Sequence, residues 1–190
     1  MALRGLPSIG AYNTLGGPTG ATNLITNGGF ETDTTGWSTL GTNTIQRVTS
    51  DQHSGAACLQ VTRGDQPQHG ARYAITFPAA GMYTISAWVK FSADAGLSSG
   101  LPIRLDGVTD DVLGVNVAAD PAILDVWQRV YMVTTIVTDL DGIIVVGTTT
   151  WTLGTSFMLD DVQVEAGPAA TPYVPTDGAT ASRTAMKWIA

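Results

Sequence analysis

Apolar and polar residues alternate along most of this chain with the two-residue period of β-strands. The alternating runs are short and are separated by turn-forming Gly, Asn, Asp and Pro residues. Strand and turn signals that recur about every 8–12 residues are typical of a β-sandwich of two antiparallel sheets. The predicted strands cover residues 44–49, 57–63, 71–77, 82–91, 102–106, 112–118, 127–138, 142–151 and 156–165.

Glycine and proline are concentrated near both ends, which divides the chain into an N-terminal arm (1–22), a central sandwich (23–165) and a C-terminal arm (166–190). Apolar residues of the N-terminal arm recur at a strict spacing of three, the period of a polyproline II helix. Such an arm has one apolar side, which we expect to be buried against neighbouring molecules. The alternative is a disordered terminus with chance spacing. The residues predicted to anchor assembly are Leu3, Leu6, Ile9, Tyr12, Leu15, Trp188 and Ile189.

The composition limits the class of protein. Charged residues make up 13% of the chain, about half the roughly 25% of an average soluble protein, and the net charge is −7. Lys90 and Lys187 are the only lysines, which argues against nucleic acid as a partner. No apolar run approaches the roughly 20 residues of a membrane span, and the N-terminus lacks the apolar core of a secretory signal. We therefore expect synthesis in a cytoplasm without secretion, and no membrane partner.

Catalytic patterns give a single formal match. Residues 96–100 (Gly-Leu-Ser-Ser-Gly) fit the nucleophile-elbow pattern, but no helical period follows them as that motif requires. The acidic pairs at residues 110–111 and 139–141 could serve a glycosidase, yet they lie among turn-forming residues. Neither histidine has the spacing of a zinc ligand with Cys58, the only cysteine. The sequence therefore predicts a protein that is not an enzyme.

Two distant segments resemble the first and last strands of one protein family. Residues 23–37 run Asn-Leu-Ile-Thr-Asn-Gly-Gly-Phe-Glu-Thr-Asp-Thr-Thr-Gly-Trp, and residues 157–165 run Phe-Met-Leu-Asp-Asp-Val-Gln-Val-Glu. Similar intermediate motifs follow in order at residues 53–61, 83–90 and 127–130. Together they resemble carbohydrate-binding modules of the family 4/9/22 type over residues 23–165. The resemblance implies an all-β jelly-roll sandwich, with glycans as ligands.

The resemblance also implies a structural calcium ion that joins the first and last strands. The turn at residues 27–29 (Asn-Gly-Gly) lets backbone carbonyls converge, because Asn and Gly tolerate positive φ. Calcium takes about 6 to 8 oxygen ligands, so carboxylates from two strands would complete the shell. The alternative is that these carboxylates only cap turns at the rim of the sandwich. The predicted ligands are Glu31, Asp160 or its neighbour Asp161, the backbone of Gly29, and the backbone of His53 to Ala56.

Aromatic side chains are the candidate sugar-binding surfaces. In the predicted strand 82–91, Trp88 alternates with apolar residues and therefore points away from the main core. In modules of this kind an indole on the outer face of a sheet can stack on a sugar ring. Cover by a loop or another subunit is the alternative. Tyr73 and Trp151 are two further candidate platforms, and Gln66, Gln68 and Arg72 are candidate polar contacts.

The C-terminal arm resembles the ending that follows such modules in bacteriophage tail, fibre and other virion proteins. Residues 165–183 contain its Glu, its small residues, Thr-Pro-Tyr-Val-Pro-Thr and a final Ser-Arg, although the usual second acidic residue after Glu165 is missing. The resemblance implies a virion component that lysis releases, which agrees with the missing secretory signal. A proline-rich tail of this kind is expected to lie extended over a surface.

These observations predict a non-enzymatic structural protein on the surface of a bacteriophage virion. It would be a capsid decoration protein or a small tail appendage, and its partners would be capsid or tail proteins and sister subunits. A glycan-binding host adhesin is the alternative. An accessory module of a polysaccharide hydrolase is less favoured, because the sequence contains no catalytic domain.

Overall fold

The computed structural model is an all-β molecule in which the alternating segments form two stacked sheets. It describes residues 21–39, 41–65, 70–92, 100–107, 112–138, 140–147 and 152–183. Within these ranges no helix is long and apolar enough to cross a bilayer. The strands are β1 (Thr22–Asn23), β2 (Trp37–Thr39), β3 (Thr44–Val48), β4 (Cys58–Thr62), β5 (Ala71–Thr76), β6 (Gly81–Phe91), β7 (Ile103–Asp106), β8 (Val112–Val117), β9 (Gln128–Ile136), β10 (Asp141–Val146), β11 (Ser156–Ala166) and β12 (Ala181–Ser182).

The large sheet contains six strands in the order β3-β4-β11-β6-β9-β8, and the small sheet contains four in the order β2-β5-β10-β7. Strands β1 and β12 form a separate ladder. All the pairings between these strands are antiparallel. The core lies between the two sheets, where the side chains of Phe77, Phe91 and Phe157 are fully buried. The predicted sandwich of two antiparallel sheets is confirmed.

Each strand predicted between residues 44 and 165 corresponds to one of β3 to β11. The largest difference is at β10, which ends at Val146, and residues 148–151 of that prediction lie outside the described residues. The strands predicted from alternation do not include β1, β2 or β12, although the family resemblance identifies residues 23–37, where β1 ends and β2 begins, as an opening strand. Each of these three strands has only two or three residues, too few for a visible alternation.

A β-bulge interrupts β11 where it pairs with β6. The register shifts between Asp160, which pairs with Trp88, and Gln163, which pairs with Ser86. Asp161 lies within the bulge and has a left-handed backbone, with φ 50°. The bulge therefore allows two successive aspartates, Asp160 and Asp161, to reach the same turn, as described below.

Residues 167–183, called the tail here, lie across the outer face of the large sheet. The backbone N–H of Thr171 donates to Glu165 at 2.8 Å, and that of Val174 donates to Gln163 at 2.7 Å. The chain then turns back along the opening segment, where Gly178 N donates to Thr26 O at 2.8 Å. Polar side chains of the sheet become almost completely buried beneath the tail: Thr84, Ser86, Gln163 and Glu165.

The tail makes the described domain larger than predicted. Strand β11 continues through the expected boundary at residue 165 to Ala166, and β12, near the end of the tail, pairs with β1. Residues 166–183 are thus part of the sandwich rather than a separate arm, because the polar outer face of the large sheet supplies their hydrogen-bond partners. The predicted anchors Leu3, Leu6, Ile9, Tyr12, Leu15, Trp188 and Ile189 lie outside the described residues.

Candidate functional site

The turn at residues 27–29 is fixed from two sides. The indole Nε1 of the buried Trp37 donates to Asn27 O at 2.8 Å. The backbone N–H of Val162 donates to Gly28 O at 2.9 Å. Two of the three carbonyls that were predicted to converge on a cation therefore accept hydrogen bonds within the protein.

The turn between β3 and β4, residues 49–57, is held by the aspartates of the bulge. Asp160 Oδ2 accepts from the backbone N–H of His53 at 2.9 Å and from that of Ser54 at 3.2 Å. Asp161 accepts from Ser54 Oγ at 2.6 Å, and its other oxygen lies 2.7 Å from His53 Nδ1. The bulge thus joins the last long strand to a turn that lies about a hundred residues earlier in the chain.

Asp160 is a buried carboxylate. Its desolvation, with a smaller contribution from the negative charge of Asp161, raises the pKa of Asp160 to about 7. Hydrogen bonds from the backbone N–H groups of Ser54, Asp161 and His53 act in the opposite direction, because they stabilise the charged form. The Asp160 carboxylate is therefore surrounded by backbone N–H groups and acts as their hydrogen-bond acceptor.

Two predicted calcium ligands, Glu31 and Asp160, accept hydrogen bonds from the protein, and the calcium site stays a prediction. Both oxygens of Glu31 face the backbone N–H of Ala56, at 3.1 and 2.9 Å. The remaining oxygen of Asp160 accepts from the Asp161 N–H at 2.8 Å. In the part of the chain that the structure describes, no group of three or more His, Cys, Asp and Glu side chains is placed to hold a metal ion. Glu31 and Asp160 are therefore both bonded to N–H groups of the same turn.

Trp88 lies on the outer face of the large sheet, and its neighbours Ala87 and Val89 are fully buried in the core, as the alternation predicts. The imidazole of His53 stacks on its indole with ring centroids 3.9 Å apart and an interplanar angle of 16°. Trp127 contacts the same imidazole edge-on, at 5.7 Å. A turn residue therefore covers one face of Trp88, which is the alternative that the sequence left open.

The structure corrects the expectation that Tyr73 is an exposed platform. Tyr73 is only 8% exposed and packs against Trp37 with ring centroids 5.2 Å apart. Its hydroxyl lies 2.9 Å from Thr26 Oγ1. Tyr73 alternates with the outward-facing Arg72, so the pattern of β5 already contained this information. Trp151, the third candidate platform, and the polar candidates Gln66 and Gln68 lie outside the described residues.

The outer face of the small sheet carries a pocket of about 400 Å³. Ala74 on β5 and Ile143 on β10 are cross-strand partners on this face and supply an aliphatic floor. At the rim, Thr76 Oγ1 donates to Asp141 Oδ1 at 2.5 Å. An apolar floor with a few polar groups at the rim is the composition of a small-ligand site. The sequence did not reveal the pocket, because it depends on the pairing of two strands far apart in the chain.

Two arginines extend this face beyond the pocket. Arg72 and Arg104 are both cross-strand partners of Val145, on opposite sides of β10. Arg104 lies 3.5 Å from Asp106 in an exposed ion pair. The Nε atoms of both arginines are buried and have no hydrogen-bond partner among the described residues. Because these Nε atoms are buried, they do not themselves offer a donor to a ligand on the surface of this face.

Comparison with known protein families assigns the chain to one of them. A family described as "Carbohydrate binding domain" has a sequence model that matches residues 22–130, more than half of the chain. The protein belongs to this family. The matched part begins at β1 and ends within β9, so it contains most of both sheets. No match was found among curated protein sequences.

Solved structures of similar modules support the same fold. The CBM22-1 xylan-binding domain from Paenibacillus barcinonensis Xyn10C has a TM-score of 0.58 at 20% identity, over 80% of this chain and 99% of that one. The C-terminal family 22 module of Clostridium thermocellum Xyn10B has a TM-score of 0.58 at 17% identity, over 76% of this chain and 94% of that one. A third similar structure is TmCBM61 in complex with β-1,4-galactotriose, with a TM-score of 0.50 at 17% identity, over 76% of this chain and 99% of that one. The predicted all-β jelly-roll is confirmed.

We expect a chelator to leave the stability of this carbohydrate-binding module unchanged. Of the predicted calcium ligands Glu31, Asp160, Gly29 and His53, the two carboxylates already accept hydrogen bonds from backbone N–H groups. Thermal unfolding with and without EDTA should give melting temperatures within about 1 °C. An ion at 100 times its Kd would instead contribute about 2.7 kcal/mol, or roughly 5–11 °C, and a shift of that size, absent in Glu31→Ala, would establish the calcium site.

Replacing Trp88 by alanine should destabilise the module by about 2 kcal/mol without changing its affinity for glycans. A fully buried Trp costs about 3–5 kcal/mol on truncation, and Trp88 is only partly buried beneath His53. Urea denaturation measures the first effect, and titration with glycans measures the second. Trp88→Phe, which keeps an aromatic ring beneath His53, serves as the control. A stable Trp88→Ala variant that loses glycan binding would restore the stacking hypothesis.

Proposed function

We propose that this carbohydrate-binding module is a non-enzymatic structural component of a bacteriophage virion, either a capsid decoration protein or a small tail appendage. The observation that carries the proposal is the docked tail. The tail resembles the endings of virion proteins through certain residues. The same residues make the hydrogen bonds that hold the tail in place. Glu165 Oε2 accepts from Thr171 Oγ1 at 2.7 Å, and Arg183 donates to Tyr173 O at 2.9 Å. In this chain the motif therefore holds the tail in its position.

The docked tail also brings the two ends of the described chain together. Arg183 N donates to Ala21 O at 2.8 Å, next to the ladder of β1 and β12. Segments 1–20 and 184–190 therefore continue from adjacent points of the sandwich. This arrangement supports attachment at one end of the module, through arms whose apolar residues are expected to be buried by capsid proteins, tail proteins or sister subunits.

The acidic residues of the site favour a role without catalysis. Glycosidases use two carboxyl groups that both face the substrate. Here Asp160 and Asp161 are buried and accept hydrogen bonds from His53 and Ser54. Their position supports a role in holding a turn.

Electron cryomicroscopy of the source particle tests the virion proposal. We expect density for a jelly-roll sandwich on the capsid or the tail, with residues 21 and 183 directed towards the particle. Antibodies against the module should label purified particles at the same place. Purified infectious particles without the protein, or label that stays with the soluble fraction of the lysate, would overturn the proposal.

Glycan-mediated adhesion is a second candidate, which the outer face of the small sheet favours. The pocket over Ala74 and Ile143 offers an apolar floor, and Arg72 is a half-buried cation beside it on the same face. Xylan is a reasonable first probe, because the similar Paenibacillus module is a xylan-binding domain. An accessory role in a polysaccharide hydrolase would use the same face and is less favoured.

A glycan array followed by calorimetric titration of any positive glycan tests this second candidate. Arg72→Ala should weaken binding at least tenfold, which corresponds to the loss of about 1.4 kcal/mol. Arg63→Ala, which follows β4 of the large sheet, is the matched control and should bind normally. Equal affinity of both variants places the ligand elsewhere, and an array without any positive glycan removes the adhesin alternative.

A further inference from the structure

An exposed apolar patch lies on the outer face of the large sheet, beside the tail. Met82 on β6 and Val137, which follows β9, are each 46% exposed. Met82 is the cross-strand partner of Thr135, so Val133 and Val137 are its diagonal neighbours, about 7–8 Å away. These three side chains, Met82, Val133 and Val137, are called the β9 patch.

A pocket continues the β9 patch along the same strand. It has a volume of about 300 Å³. Tyr131, two residues before Val133 on the same face of β9, forms one wall, and the first residues of the tail form the opposite wall. An aromatic-walled pocket next to an apolar strip is the kind of groove that receives extended, polyproline-like peptides. The pocket residues are Arg129, Tyr131, Pro168, Ala169 and Ala170.

The point from which the N-terminal segment begins lies at the same end of the sandwich. Val162 N bonds Gly28 O, and Leu24 N bonds Val164 O, so the opening segment runs antiparallel to β11. Thr22 therefore lies towards Ala166, where Gly167 N donates to Met82 O at 2.9 Å. Residues 1–20 thus continue from the end of the sandwich at which the β9 patch lies, with β11 and β6 between β1 and β9.

The sequence of residues 1–20 suits this surface in its apolar spacing and its low charge. Its apolar residues recur every third position, and a polyproline II chain rises about 3.1 Å per residue, so successive apolar side chains would be about 9 Å apart. Arg4 is its only charged residue, whereas all 16 acidic residues of the protein lie outside this segment. A segment with a single charged residue is suited to an apolar groove; the one charged residue that lines the Tyr131 pocket is Arg129.

We propose that residues 1–20 of a second copy of this chain dock on the β9 patch and the Tyr131 pocket. Met82 and Val137 are about half exposed, and a second copy supplies a segment whose apolar spacing suits an extended groove. The docking surface and the origin of the segment lie at the same end, so two copies can exchange their segments in a closed, symmetric pair. This inference rests on the proposed role of the arms in assembly and names the partner and the surface.

The test uses full-length protein and its mass in solution, measured by sedimentation and light scattering across a concentration series. Wild type should associate into dimers. The double variant M82K/V137K should weaken association at least tenfold, which corresponds to a loss of about 1.4 kcal/mol. The matched control V126K/L153K changes two side chains that are 54% and 60% exposed outside the patch and should dimerise normally. Thermal unfolding checks that each variant is folded.

A mixing experiment separates segment exchange from contact between two patches. The variant L6D/I9D keeps the patch but loses the apolar segment and should be monomeric alone. Mixed with M82K/V137K, it supplies the intact patch while the other chain supplies the intact segment. One of the two segment contacts then remains, so one-to-one dimers should form more weakly than in wild type but more tightly than with either variant alone. Monomeric wild type, normal dimers of M82K/V137K, or failure of the mixture to associate would each overturn the inference. Detection of a monomeric protein on purified particles would leave the virion proposal standing.

Discussion

Glu165→Ala should lower the free energy of unfolding by about 3 kcal/mol, the largest effect that we expect from a single polar side chain. The carboxylate accepts from Thr171 N at 2.8 Å, from Thr171 Oγ1 at 2.7 Å and from Gln163 Nε2 at 2.7 Å. Its residue is 2% exposed, so its removal leaves buried donors without acceptors. Chemical and thermal denaturation measure the change, which corresponds to roughly 6–12 °C in Tm for a chain of this length.

Asp177→Ala is the matched control for Glu165→Ala. Asp177 also belongs to the tail and accepts a hydrogen bond from Thr32 at 3.1 Å, but it is exposed. Its loss should cost less than about 1 kcal/mol. If both variants are equally stable, the tail does not contribute to the stability of the sandwich, and the domain ends near residue 165 as the sequence predicted.

Gly28→Ala should be similarly destabilising, by about 3 kcal/mol, for a steric reason. A Cβ atom at Gly28 would lie 2.1 Å from the backbone oxygen of Val162. That oxygen also accepts from Asn23 Nδ2 at 3.2 Å, and Gly28 itself bonds Thr176 and Val162, so the backbone has little freedom to move away. Overpacking of a constrained site costs typically 1–3 kcal/mol and occasionally more. Urea denaturation provides the measurement.

Gly29→Ala supplies the comparison within the same turn. A Cβ atom at Gly29 would meet only the end of the Tyr173 side chain, 3.0 Å from its hydroxyl, and a side chain can move more easily than a backbone. We expect a cost of less than about 1.5 kcal/mol. A Gly28→Ala variant no less stable than Gly29→Ala would show that the opening segment does not pack against β11 as described.

The sequence predicted the strands well because alternation is a local property. The outward position of Trp88 followed from its own strand, and the same rule applied to β5 would have placed Tyr73 in the core. The sequence did not predict that His53 covers Trp88, because the two residues belong to different elements and meet only through the turn that Asp161 holds. Glu31 and Asp160 do meet one turn, as the predicted calcium site requires, and there they accept hydrogen bonds from its amides; calcium binding stays a prediction.

By itself, the sequence determined the β-sandwich, the strand positions, the side of the sheet to which most side chains point, and the family. These properties depend on residue type and on spacing within short segments, both of which are visible in one dimension. Only the tertiary structure decided that the proline-rich tail belongs to the domain and that the two ends of the described chain meet. The composition predicts an extended tail but not its position. An extended segment has no internal hydrogen bonds, so its position depends on which other elements provide hydrogen-bond partners for its backbone. Here Gln163 and Glu165 of β11 offer them.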